Sequence, residues 1–142
     1  MADGSFLPED DQDFLQLKGI KHALHEEDVP GGEKRRGVEF LEFPLPPNLY
    51  TRQDGNLVAT ANVSILVLIP KGYAKTKLDS WYIHPAVFLS GGQTANCAGG
   101  ESDVFGRKWQ FWSRHLADGE WREGIDGLET YLQYIHGGLR QP

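Results

Sequence analysis

The stretch NVSILVLIP, residues 62–70, decides how the rest of this chain is read. Its side chains alternate along an extended backbone. Val63, Ile65, Val67 and Ile69 point one way, while Ser64, Leu66 and Leu68 point the other. Apolar character on both sides near its end predicts a central strand covered on both faces. The run is far too short to span a bilayer. Pro70 closes it, since proline has no amide to give to a ladder.

Toward the N-terminus, VEFLEFPLP (38–46) alternates Val38, Phe40 and Glu42 against Glu39, Leu41 and Phe43, with Pro44 ending the strand. IKHALHEE (20–27) sets Ile20, His22, Leu24 and Glu26 on one side and predicts a half-buried first strand. Between them, VPGGEKRRG (29–37) reads as a turn rich in glycine and charge. Earlier still, Leu7-Pro8 followed by Glu9, Asp10 and Asp11 predicts a helix start, because proline suits the first position and acids favour the positive dipole end. Phe14, Leu15 and Leu17 give that helix an apolar side, and Gly19 stops it.

Toward the C-terminus, SWYIHP (80–85) supplies a fourth, short strand, so the four form an antiparallel meander. About 40 residues with little periodicity follow; a segment of that kind inside a compact domain is usually functional. It holds Phe88, Phe105, Trp109, Phe111, Trp112 and Trp121, and the tryptophans read as core. Ile125, Leu128, Leu132, Ile135 and Leu139 then fall in one helical stripe. Asp126 and Glu129 have capping-box spacing, and Gly137-Gly138 marks the expected end. The order predicts an α+β fold, one domain over residues 1–142 with residues 1–6 flexible.

Net charge is −6, from 20 acidic and 14 basic side chains, which argues against a general nucleic-acid binder. Lys34-Arg35-Arg36 and Arg107-Lys108 are local basic clusters that read as solvated faces. The acidic N-terminus MADGSFLPEDDQDF has no basic region before an apolar run, so neither a signal peptide nor a membrane partner is expected. One cysteine forms no internal disulfide, and with five scattered histidines it makes no zinc pattern. A reducing cytoplasm is the expected compartment.

That cysteine is Cys97, within SGGQTANCAGG (90–100). It is either a small buried hydrophobe or an accessible nucleophile, and the flanking glycines would let a flexible partner tail approach closely. Its nearest charges in sequence are Glu101 and Asp103, and no cation is at hand to favour a thiolate. His115, in WSRHLADGEW (112–121), is a candidate general base or a packing partner of Trp112 and Trp121. His22, His25 and His136 read as surface or helix residues, Tyr73 as a turn anchor. Asn96 is a candidate oxyanion donor, and Arg107 and Arg114 either steer an acidic partner or pair with carboxylates.

Taken together, IPKGYAKTKLDSWYIHP (69–85), His84-Pro85 and a cysteine 13 residues after His84 resemble the ubiquitin-conjugating enzyme (UBC-like) superfamily. FGRKWQFWSRH (105–115) followed by WREGIDGLETYLQYI (121–135) is similar to its bacterial branch, prokaryotic family E. The resemblance runs from about residue 7 to residue 139 and implies a four-stranded meander flanked by an N-terminal and a C-terminal helix. It further implies Cys97 as the thioester-forming residue, His84 as a support of loop structure and His115 as a catalytic residue. Three partners follow from it: a ubiquitin-like protein, an activating enzyme that spends ATP to load it, and a target protein. No cofactor is expected in the chain itself. Two positions depart from the family. Pro70-Lys71-Gly72-Tyr73-Ala74 lacks the second proline of the tyrosine turn, and His84-Pro85-Ala86 lacks the asparagine that helps orient the active-site loop and hold the oxyanion. A relative that binds ubiquitin-like proteins without chemistry, and an unrelated cysteine hydrolase using Cys97 and His115, are the competing readings.

Overall fold

A computed structural model gives the architecture and describes residues 6–114, 116 and 119–142. Helix α1 (Glu9–Leu17) leads into strands β1 (His22–Val29) and β2 (Glu33–Pro44). A hairpin of β3 (Tyr50–Gln53) and β4 (Asn56–Ala59) precedes β5 (Asn62–Ile69) and β6 (Trp81–His84). Then come β7 (Ala98–Val104), β8 (Arg107–Trp112) and helix α2 (Leu128–Arg140). The main sheet has six strands in the order β1-β2-β5-β6-β8-β7, antiparallel throughout, and β3-β4 form a separate two-stranded sheet. The fold is mixed α+β, with a wider sheet than the expected meander of four.

Strand β5 is central, as its alternation predicts. Val63, Ile65 and Val67 are buried in the larger core with Leu15 of α1 and Leu128, Ile135 and Leu139 of α2. Leu66, on the opposite face, is buried with Val104 and Trp109 in a smaller cluster. Each such side chain stabilises the fold by about 1.5–3 kcal/mol relative to exposure.

Several local expectations change. Lys34, Arg35 and Arg36 lie in β2 rather than in a turn, opposite Asp28, Glu27 and Glu26 of β1. All three form ion pairs across the strands: Lys34 Nζ to Asp28 Oδ1 at 2.9 Å, Arg36 Nε to Glu26 Oε2 at 2.6 Å, and Arg35 with Glu27. In the same strand the register shifts between Phe40 and Phe43, and Glu42 takes φ 54°. The extra residue reverses the alternation. Phe43 therefore joins Val38 and Phe40 in the core, and Leu41 turns outward.

The segment expected to be irregular contains β7 and β8. Their two-residue connection, Phe105-Gly106, has φ 51° and 76°, the positive values that a tight hairpin turn of the right twist needs. Phe105 tolerates this because its ring is held, stacked on His25 at 5.0 Å with the Arg35 guanidinium 5.7 Å from its centroid.

Helix α2 begins at Leu128 and continues through Gly137 and Gly138. Ile125 and Leu17, expected on apolar stripes, are exposed. Asp126 does not cap the helix; its carboxylate pairs with Arg122 and accepts the Arg122 amide at 2.7 Å. The Leu128 amide donates instead to Asp11 of α1, and the Gly127 amide to Thr130 Oγ1. Phe6 packs on the core beside Arg36, while the rest of the expected flexible lead lies outside the described residues. Among the described residues no helix is long and apolar enough to cross a membrane.

Candidate functional site

Cys97 sits in a turn immediately before β7. The Ala98 amide donates to the Ala95 carbonyl at 3.0 Å, which bends the chain there. Ala95 is buried, Asn96 exposed and Cys97 half-buried at the rim of the larger core. The Cys97 carbonyl accepts the Ser113 amide at 2.8 Å, and Ala98 stands opposite Trp112 in the ladder. The cysteine is thus fixed against the start of Trp112-Ser113-Arg114-His115. His115 itself lies outside the described residues.

His84 is elsewhere. Its Nδ1 is 3.1 Å from the Lys108 carbonyl oxygen, and its ring meets Trp109 edge-on at 5.9 Å. Lys108 and Ser113 are five positions apart, so the two anchoring points are separated by about 16 Å of extended chain. The spacing between His84 and Cys97 in sequence does not bring the two together. His84 braces β8 at the end away from the cysteine.

The segment between them is tied down at several points. Tyr50 and Phe88 exchange both backbone hydrogen bonds, the Tyr50 amide donating at 2.9 Å and the Phe88 amide at 2.7 Å. Arg52 places its guanidinium 4.7 Å from the Phe88 ring centroid and donates to the Gly92 carbonyl at 3.0 Å. Gln110 of β8, fully buried, accepts the Val87 amide at 3.0 Å and donates to the Val87 carbonyl at 3.1 Å. Its Oε1 also accepts the Trp112 indole N–H at 2.9 Å. Gln110 was not singled out from the sequence; the signal for it is a lone polar residue among Trp109, Phe111 and Trp112, since a buried amide must find partners. Tyr50 and Arg52 left no such signal.

The remaining candidates take structural positions. Trp109 and Trp112 are core residues, and Trp121 donates to the Ala74 carbonyl at 2.9 Å. Tyr73 donates to Asp11 at 2.5 Å. Arg107 and His25 both bind the buried carboxylate of Glu39, at 2.7 and 2.8 Å. Burial alone would push that carboxyl up, but hydrogen bonds from Arg107, His25 and Ser64 outweigh it and hold Glu39 below its usual range. Arg114 donates to the Gln141 carbonyl at 2.9 Å. His136 stacks on Phe43 at 4.5 Å; burial, with a smaller contribution from Arg140, lowers its pKa. His22 Nδ1 is 2.8 Å from the Ile20 carbonyl oxygen. Glu101 and Asp103, the acids nearest Cys97 in sequence, are exposed on β7. No cluster of three or more metal-ligating side chains occurs among the described residues.

What this arrangement offers is a half-buried thiol in the turn before β7, with open space at Gly100 and small neighbours. That suits a group that receives an acyl chain from a flexible donor. Crinkler effector protein 63 of Phytophthora sojae (strain P6497) is 34% identical over 71 residues, 50% of this chain and 16% of that protein. The chain therefore spans a small part of the curated relative that it matches. No solved structure gives a significant match. The model of prokaryotic E2 family E matches residues 7–141, nearly the whole chain. On that match the chain belongs to prokaryotic E2 family E.

Proposed function

We propose that this protein is a ubiquitin-like-protein conjugating transferase of UBC-like fold that carries its cargo on Cys97. An activating enzyme presents the C-terminal carbonyl of a ubiquitin-like protein as a thioester. The Cys97 sulfur attacks that carbonyl, the activating enzyme's thiol leaves with the proton, and a new thioester forms on Cys97. An amine of the target protein then attacks the same carbonyl. A carbon–nitrogen bond forms, the amine loses a proton, and Cys97 leaves as the thiol. His115 takes that amine proton as general base and passes it to the departing Cys97 sulfur.

The observation that carries this reading is the hydrogen bond from the Ser113 amide to the Cys97 carbonyl, which fixes the cysteine at the end of β8. The exchange between thiols is close to isoenergetic, so it needs no cation beside the sulfur. The test is incubation with the activating enzyme, ATP and the ubiquitin-like protein. A reductant-sensitive adduct that is lost in Cys97→Ala supports the proposal. An adduct that survives in Cys97→Ala, or none in the parent protein, overturns it.

A further inference from the structure

We infer that Gln110 is the positioning residue of Cys97. Its one buried amide holds the start of the segment that carries the thiol directly, and the end of it through Trp112. At the start, Val87 is bound through its N–H and its C=O, a pairing that a neighbouring strand would normally provide. At the end, the same Oε1 accepts the indole of Trp112, whose backbone faces Ala98, the residue after Cys97. The ten residues 87–96 thus run from the Gln110 amide, past the backbone pairing of Phe88 with Tyr50, back to the end of β8 at Trp112. Gln110 is 3% exposed, so the amide is not available to a reacting carbonyl and acts only through the loop.

A carboxamide fits this role because it is both donor and acceptor. An aliphatic side chain of similar size would leave the Val87 amide and carbonyl and the Trp112 N–H unpaired in a dry site. A carboxylate would accept from Val87 N–H and repel Val87 C=O. A protonated carboxyl would restore the donor. Arg52, exposed, adds a weaker second brace at Gly92.

The inference goes beyond the thioester proposal and does not need it, because the reactivity of a half-buried thiol reports the order of its loop directly. In the full chain, the rate of Cys97 modification by dithiodipyridine is measured for the parent, Gln110→Leu, Gln110→Glu and Asp11→Ala. Asp11→Ala serves as a variant destabilised away from this loop. Gln110→Leu is expected to react about tenfold faster than the parent, through local opening of the segment. Gln110→Glu is expected to react faster near pH 8 and to return to within about twofold of the parent near pH 5, where a buried carboxyl is protonated. Asp11→Ala is expected to match the parent. Where Gln110→Leu does not fold, the pH dependence of Gln110→Glu decides alone. Equal rates for folded Gln110 variants and parent, a Gln110→Glu rate ratio that does not change with pH, or an equal acceleration in Asp11→Ala overturns the inference. The conjugation assay stands apart from these outcomes, so either idea fails without the other.

Discussion

The carboxylate of Asp11, in the first helix, caps the last one: its Oδ1 accepts the Leu128 amide at 3.1 Å. Its Oδ2 accepts the Tyr73 hydroxyl at 2.5 Å, so three distant segments meet on one buried acid. Replacing Asp11 by alanine removes a helix cap and a buried partner of Tyr73, and should cost about 2 kcal/mol. Urea denaturation at neutral pH measures it.

Asp11 also has an unusual pH signature. Burial raises its pKa above 3.8, against the lowering effect of the bonds from Tyr73 and Leu128. The folded chain therefore holds this proton more tightly than the unfolded one, and the Asp11 contribution to stability grows as pH falls from neutral toward 3.8. Glu39 behaves oppositely. Its pKa is held below 4.5, so its contribution is complete above that value and is lost as pH falls through the folded value. Denaturation midpoints from pH 7 to 3 should show the parent gaining on Asp11→Asn and losing ground to Glu39→Gln.

The two adjacent glycines of α2 should respond in opposite directions. A methyl group at Gly137 meets nothing within 4 Å, so Gly137→Ala should stabilise by about 0.5–1 kcal/mol. At Gly138 the added carbon would lie 2.7 Å from the buried Trp81 ring, and Gly138→Ala should destabilise by about 1–3 kcal/mol. Thermal melts of the pair check the sign in one experiment.

Under the proposed function, variants at Cys97 and His115 should separate loading from discharge. Cys97→Ser should trap the cargo as an oxygen ester that resists reductant, because the poorer leaving group slows aminolysis. His115→Ala should still load, yet discharge to an amine on the order of 100-fold more slowly. Gel assays with and without reductant distinguish the two. Equal discharge by His115→Ala and the parent would remove the general base from the proposal.

Much of the fold was legible where burial imposes a period. Val63 to Ile69 alternate because one face meets the helices and the other meets Trp109, and the C-terminal stripe of Leu128, Leu132, Ile135 and Leu139 is read the same way. The β7-β8 hairpin was not legible. Strand β7 is an exposed, glycine-containing edge with no apolar period, and its turn uses Phe105 at a positive φ usually left to glycine or asparagine. Contacts with β1 and β2 hold that conformation: the ring packs on His25 and Arg35, and the Phe105 amide donates to Glu27, 78 positions earlier. At the site, Cys97 stood out as the lone thiol. Its distance from His84 did not, since register along β8 is set by pairing and not by spacing in the chain.

The paired charges of β1 and β2 have a consequence at long range. Lys34, Arg35 and Arg36 form the most basic run of the sequence, yet each faces an acid across the ladder. Seen from beyond a Debye length of about 8 Å, three such pairs act as small dipoles whose fields fall away quickly. A polyanion drifting past that arm would feel almost no monopole to draw it in, and the chain's net charge of −6 would set the far field instead.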